Sequence, residues 1–442
     1  MSGLARTPLD AWAAKKIGAG GAGFAREQLD RYQFERLRAT VSWAASHSPF
    51  YRDLLAGHAA TGLDALADLA RYPFTTAADL RRHGPRLLCV SQSDVSRVVT
   101  LDSSGTTGAA KRLSFTPADQ EATLDFFRHG MASLTQPGDR VLILLPGERP
   151  GGVGDLLAAA LKRSGVRPVP HGLVRSLPAT LAVMARENVN CLVGVPAQVI
   201  ALARWAESAG VSPAVKSVLL STDHVPRAVV HELTRLWGCD VFEHYGMTEL
   251  GLGGGTDCAA HAGCHLHEAD FFFEIVDPLT GQPVPAGGEG EVVVTTLARR
   301  AMPLIRYRTG DLSRIHSGPC PCGSELRRLA PVTARTDGRI ILPGHGHFTL
   351  ADLDEALFAL PGLISFTAAV DNRRHATRLT IAASLAAGPG DRCALSLTAA
   401  ADTVPVIRLA RQAGSLAVSV AAGRCRGELE PSAAKRAIME LN

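Results

Sequence analysis

Apolar residues recur along the chain at two different spacings. From about residue 25 to 57 they fall at Leu29, Phe34, Leu37, Val41 and Trp43, a three-to-four-residue repeat that predicts helix. From about 95 to 240, short β-rich apolar runs at 97–101, 140–145, 190–194, 215–220 and 240–242 alternate with helical stretches such as 154–164 and 226–237. Strands separated by helices predict an α/β fold with doubly wound sheets, in which ligands gather beyond the carboxyl ends of the strands. Between about 270 and 315 the strands come closer together (271–276, 291–296, 305–307, 312–315) with Gly/Pro turns, which predicts a β-rich subdomain spanning about 250–330. Beyond Asp337, a Gly/His-rich loop at 343–347 leads to a helix near 350–360 and a small mixed α+β segment ending at Asn442.

Composition narrows the function classes. At 442 residues the chain is long for a single core, so two or more domains are expected. The formal charge is only +4, and basic residues occur in nothing longer than pairs and triplets such as Arg81-Arg82. That distribution argues against nucleic-acid binding and is compatible with a small acidic ligand. Apolar runs such as Val141 to Leu145 are far too short to cross a membrane, and the first residues carry no apolar signal core. Nine cysteines, an odd number over so long a chain, suit a reducing compartment. The expectation is a soluble cytoplasmic protein, with a homodimer compatible.

Three short strings carry candidate chemistry. Ser103-Ser104-Gly105-Thr106-Thr107-Gly108-Ala109-Ala110-Lys111 lies between two extended pieces. Glycines let the backbone approach a polyanion while hydroxyl and amide groups donate to phosphate oxygens; a polar hairpin turn is the plainer alternative. It is not a Walker A loop, because Ala110 and Arg112 flank the lysine where Gly and a hydroxyl residue are needed. Glu243-His244-Tyr245-Gly246-Met247-Thr248-Glu249 offers an aromatic ring, a hydroxyl and a carboxylate that could stack a purine, admit a phosphate and hold Mg²⁺, or could be a structural turn. In Arg306-Tyr307-Arg308-Thr309-Gly310-Asp311, a carboxylate after a tight turn could accept ribose hydroxyls, or the string could be a plain β-turn.

In this order, the three strings resemble the adenylate-forming superfamily of acyl-CoA synthetases, adenylation domains and luciferases over almost the whole chain. Ser48-Pro49-Phe50-Tyr51-Arg52 and a cysteine-bearing insertion bring the resemblance closest to the phenylacetate–CoA ligase-like branch. The resemblance implies an N-terminal domain (1–336) binding ATP and the acid, and a C-terminal lid (337–442). It places Ser103, Ser104, Gly105, Thr106, Thr107, Gly108 and Lys111 in the phosphate loop, and Ser221, Thr222, Asp223, Tyr245 and Gly246 along the adenine. It puts Thr248 at the α-phosphate, Glu249 on Mg²⁺ and Asp311 on the ribose. Arg335 and Asp337 fall at the hinge, and Lys435 is the late catalytic lysine. The chain departs from the family pattern at Ala110, at the hinge string Ala334-Arg335-Thr336-Asp337-Gly338, and at Ala434 before the lysine. Arg436 is the neighbouring cation for the same role if the register differs by one.

The cysteines form two groups. Cys258, His261, Cys264, His265 and His267 lie within ten residues, and Cys320-Pro321-Cys322-Gly323 follows downstream. Thiolates with imidazole suit tetrahedral Zn²⁺, although the C-x-C spacing is not that of a standard finger; reduced cysteines in surface turns are the alternative. The family resemblance favours Cys258, His265, Cys320 and Cys322 as the ligands of a structural site.

The function expected is ATP-dependent conversion of a carboxylic acid, aromatic by branch resemblance, to an acyl-adenylate (acyl-AMP) with release of pyrophosphate. Transfer to coenzyme A follows. The alternatives are an adenylating enzyme with another acceptor (a carrier protein, an amine or another biosynthetic partner) and a non-catalytic nucleotide-binding protein.

Overall fold

The computed structural model describes residues 4–21, 23–58, 62–101, 110–147, 149–332, 334–372, 377–386, 393–429 and 436–441. The chain divides into two compact units: 1–133 with 159–164 and 244–332, and 134–158 with 165–243 and 333–442. No helix among the described residues is long and apolar enough to cross a membrane.

The second unit contains the expected parallel sheet. Its strands lie in the order Arg167–Pro170, Arg140–Leu144, Cys191–Gly194, Ser217–Leu220, Asp240–Gly246, all parallel. Numbered along the chain this is 2-1-3-4-5, a doubly wound order whose ligand crevice lies beyond the strands' carboxyl ends. Cys191–Gly194 and Ser217–Leu220 are buried at every position, as strands covered on both faces must be. The intervening helices Leu177–Arg186, Pro196–Ser208 and Arg227–Trp237 bury Leu181, Val199, Leu202 and Leu233.

The same core continues into residues beyond 337. Phe358, Leu363, Phe366 and Ile381 share one apolar cluster with Leu192, Val199, Leu202 and Val218. The helix expected near 350–360 is Leu350–Leu357, started by a reciprocal cap between Thr349 and Asp352. A four-stranded mixed sheet follows in the order Leu416–Arg424, Thr377–Leu385, Leu363–Asp371, Met439–Leu441. Arg204, buried on Pro196–Ser208, donates to the carbonyls of Leu363 at 2.6 Å and Phe358 at 2.7 Å, satisfying the end of Leu350–Leu357.

In the first unit, the helical pattern expected over 25–57 breaks at Ser48. Helix Arg26–His47 ends there, and the Ser48 hydroxyl accepts the Tyr51 amide at 3.2 Å to start Pro49–Leu54. Arg97–Leu101 and Lys111–Phe115 form an antiparallel hairpin with Leu101 opposite Lys111. The β-rich region is real: Phe271–Val276, Gly290–Thr296 and Tyr307–Ser313 pair antiparallel. Gly254–Thr256, Cys264–Leu266 and Arg328–Leu329 form a second antiparallel set.

Two sequence expectations are corrected here. Strand Asp240–Gly246 runs four residues past 242, so Tyr245 and Gly246 sit on the strand and not after it. The pieces expected at 305–307 and 312–315, with a turn between them, are one strand, Tyr307–Ser313. A bulge against Glu291 and Val293 accommodates Gly310 at φ 78°.

Candidate active site and candidate metal centre

Glu249 is the most constrained of the expected site residues. It lies in the short helix Thr248–Leu250 directly after Asp240–Gly246, and its carboxylate is buried. Its Oε1 accepts from the Lys111 ammonium at 2.5 Å and from the Tyr307 hydroxyl at 3.2 Å, while its backbone carbonyl accepts from Arg299. Burial pushes the Glu249 carboxyl up, but the Lys111 charge and the hydrogen bonds from Lys111 and Tyr307 more than offset this and hold it below the usual range. The structure thus joins the lysine of the first string, the carboxylate of the second and the tyrosine of the third. Tyr307 was given no role from sequence, since a tyrosine in a strand looks like any other core aromatic.

Tyr245 and Asp311 are paired as well. The Tyr245 hydroxyl donates to Asp311 Oδ2 at 3.0 Å, and both residues are buried. Gly246 has no room for a side chain: a Cβ there would lie 2.4 Å from the His244 ring and 2.7 Å from the Leu252 carbonyl. His244 itself is partly buried, and burial lowers it to about 4, so it packs as a neutral ring beside Phe126. Arg306 is also structural. Its guanidinium holds Glu274 and the carbonyls of Ala70 and Tyr72 and lies over Phe74.

In the second unit, Ser221, Thr222 and Asp223 follow strand Ser217–Leu220, at the carboxyl edge of the parallel sheet. Thr222 has φ 77°, a left-handed conformation that costs a β-branched residue about 1–3 kcal/mol and tends to mark functional loops. Asp223 Oδ2 faces Arg436 Nε at 3.7 Å. Arg335 and Asp337 pair with each other at 2.7 Å on the surface. Ser103, Ser104, Gly105, Thr106, Thr107, Gly108 and Lys435 lie outside the described residues.

The cysteine groups converge. The ligand atoms of Cys258, His265, Cys320 and Cys322 all lie within 4.8 Å of one another, and all four residues are buried. Cys258 and Cys320 Sγ are 3.8 Å apart, and Cys322 Sγ is 3.4 Å from His265 Nε2. Tetrahedral Zn²⁺ with Zn–S of about 2.3 Å and Zn–N of about 2.0 Å would set these separations near 3.8 and 3.5 Å. A disulfide would need about 2.0 Å. His265 Nδ1 donates to the Leu326 carbonyl at 3.2 Å, which leaves the Nε2 lone pair facing the thiols. Cys264 and His265 are neighbours on strand Cys264–Leu266 and therefore face opposite sides; Cys264 packs with Tyr245 and Leu266 instead. His261 pairs with Asp257 at 2.8 Å, and His267 is clamped between the rings of Trp12 and Phe126, each 4.2 Å away.

A family model described as AMP-binding enzyme matches residues 94–298. The phenylacetate–coenzyme A ligase of Thermus thermophilus is 33% identical over 353 residues, 77% of each chain. The chain belongs to the phenylacetate–CoA ligase-like branch of the adenylate-forming superfamily. The phenylacetate–coenzyme A ligase of Aromatoleum evansii is 30% identical over 367 residues, 80% of this chain and 81% of that one. Among solved structures, 2-hydroxyisobutyryl-CoA ligase in the postadenylation state with 2-HIB-AMP superposes with a TM-score of 0.76 at 21% identity. The match covers 95% of this chain and 90% of the other, and it establishes the same fold. Membership in this family of AMP-forming acid–CoA ligases brings ATP-dependent activation of a carboxylic acid followed by transfer to coenzyme A.

Proposed function

We propose that this acid–CoA ligase acts on an aromatic acid, with Glu249, Lys111, Tyr245, Thr248 and Asp311 forming the nucleotide side of its site. The observation that carries the reading is the buried Glu249 carboxylate, held ready between Lys111 and the Tyr307 hydroxyl. A carboxylate is a poor electrophile, so the acid must first attack the α-phosphorus of ATP, and two anions must be held in line while their repulsion is neutralised. Mg²⁺ bound through Glu249 would supply part of that charge, as a hard cation on an oxygen ligand. Lys111 and the hydroxyls and amides of 103–108 would steady the departing pyrophosphate, and Asp311 would accept the ribose hydroxyls. Gly246 and Ser221 to Asp223 would line the adenine, with Tyr245 stacked on it.

Residues 337–442 would act as the lid, with Arg335 and Asp337 at its hinge and Lys435 brought to the reacting phosphorus for adenylation only. Cys258, His265, Cys320 and Cys322 would hold a structural Zn²⁺ that ties together strands of the β-rich region. Thiolate ligands and the two cosubstrates fit a reducing cytoplasm. The aromatic preference is supported by the phenylacetate ligases that are its relatives. The test is product analysis with ATP, Mg²⁺, coenzyme A and a panel of aryl and aliphatic acids. Acyl-CoA, AMP and pyrophosphate should form in equal amounts with an aryl acid. ADP in place of AMP would refute adenylation, and turnover confined to aliphatic acids would refute the substrate class.

A further inference from the structure

Glu249 belongs to a helix too short to hold itself. At Thr248–Leu250 the amides of Leu250 and Leu252 go to the Met247 carbonyl and that of Gly251 to the Thr248 carbonyl, so the Glu249 carbonyl takes its donor from outside the turn. Arg299 supplies that donor through Nη1. The partly buried guanidinium also lies over the Phe115 ring, 4.9 Å from its centroid, and against Gly251, where a Cβ would come within 2.9 Å of Nη2.

The backbone around Arg299 is fixed by Asp119, in the first turn of helix Pro117–Met131. Its carboxylate accepts the Arg300 amide at 2.9 Å, the Ala301 amide at 3.1 Å and the Thr116 amide at 2.9 Å. That helix directly follows strand Lys111–Phe115, which carries both Phe115 and the lysine paired with Glu249. Arg299 therefore braces the backbone of Glu249 against the strand whose first residue holds its carboxylate. Thr123, on the same helix, donates to the Gly251 carbonyl at 2.8 Å and ties down the end of the turn. Burial lowers the guanidinium to about 10, against the pull of Asp119 and Glu249, so it remains charged at neutral pH.

Lys111 and Tyr307 both donate to Oε1 of Glu249 and neither to Oε2, the oxygen that a hard cation would take. Mg²⁺ demands near-octahedral geometry and is held through few carboxylates plus substrate phosphates, so its affinity depends on where that oxygen points. We infer that Arg299 is a positioning residue for Glu249: it fixes the turn from which the carboxylate projects and thereby sets the Mg²⁺ affinity of the nucleotide site. The inference rests on the reading of Glu249 as the Mg²⁺ ligand.

The test is titration calorimetry of ATP onto the full-length protein, without acid or coenzyme A, in the presence and absence of added Mg²⁺. Wild type should bind ATP more tightly with Mg²⁺. In Arg299→Met that gain should shrink on the order of tenfold, the scale of losing one charge-assisted hydrogen bond. ATP affinity without Mg²⁺ should stay near that of the wild type. Arg299→Lys, which keeps a donor but not the flat fork, should recover part of the gain. The Mg²⁺ concentration for half-maximal acid-dependent pyrophosphate exchange should rise by a similar factor in Arg299→Met, with the KM for the acid unchanged. A wild-type gain in Arg299→Met, or an equal loss of ATP affinity with and without Mg²⁺, overturns the inference. Should Arg299→Met fail to fold, an unaltered gain in both Arg299→Lys and Thr123→Val overturns it. No gain in the wild type, or one that survives intact in Glu249→Gln, would instead overturn the assignment of Mg²⁺ to Glu249 on which the role of Arg299 depends.

Discussion

Replacing Lys111 by Met would leave the Glu249 carboxylate, whose side chain is 7% exposed, without its counter-charge. At 2.5 Å the attraction between the two ions is roughly 6–7 kcal/mol for an effective dielectric near 20, and desolvation of both ions offsets much of it. Removing one member of a buried pair costs about 3–5 kcal/mol, chiefly because a charge is left behind. Lys111 is 20% exposed and Tyr307 keeps its hydrogen bond, so the lower end, about 3 kcal/mol, is expected. Glu249→Gln should cost less, because Lys111 can turn to water. The double variant Lys111→Met/Glu249→Gln should be less destabilised than the sum of the single variants, by a coupling of about 2 kcal/mol. Urea unfolding of the four proteins at pH 7 measures this cycle. Additivity to within about 0.5 kcal/mol would show that the two residues do not hold each other in solution.

Protein purified without added metal should contain about one zinc per chain, and Cys320→Ser should lose it together with several degrees of melting temperature while ATP affinity changes little. Metal-free protein whose melting is unaffected by a chelator would remove the proposed site. Burial, with Asp223 beside it, outweighs the pull of Arg436 and His224 and leaves the Asp354 carboxyl raised to about 6. Glu355, the next residue, is occupied by His224 and the Arg227 amide. The Arg436–Asp354 charge pair is therefore present above about pH 6 and lost below it, but protonation itself favours the folded state. A carboxyl raised in the folded state binds its proton more tightly there, so wild type should gain stability relative to Asp354→Asn as pH falls from about 6 to 4.

Local features were legible where chemistry is written in contiguous residues. The Tyr245-Gly246 run into Glu249 and the paired cysteines each draw on a few neighbours, and the alternating strands showed the doubly wound sheet because buried parallel strands are apolar throughout. Long-range pairings were not legible. Lys111 meets Glu249 across 138 residues and Arg436 meets Asp354 across 82, and no periodicity marks such partners. Asp311 was expected after a tight turn because Thr309-Gly310 looks like one, but pairing with Gly290–Thr296 outweighs the local glycine signal and makes a bulged strand. Arg306 looked like part of a binding string and is instead a buried clamp on Glu274, an environment set by tertiary packing. Choosing His265 over Cys264 follows from strand alternation once Cys264–Leu266 is known to be a strand.

The central claim is that this chain makes an acyl-adenylate before any thiol is involved. The most direct measurement is exchange of labelled pyrophosphate into ATP with Mg²⁺ and an aryl acid, in the complete absence of coenzyme A. The account predicts exchange that requires the acid and falls on the order of a hundredfold in Glu249→Gln, the scale of losing one preorganised electrostatic group. Exchange that proceeds equally without acid, or that is the same in Glu249→Gln, would contradict it.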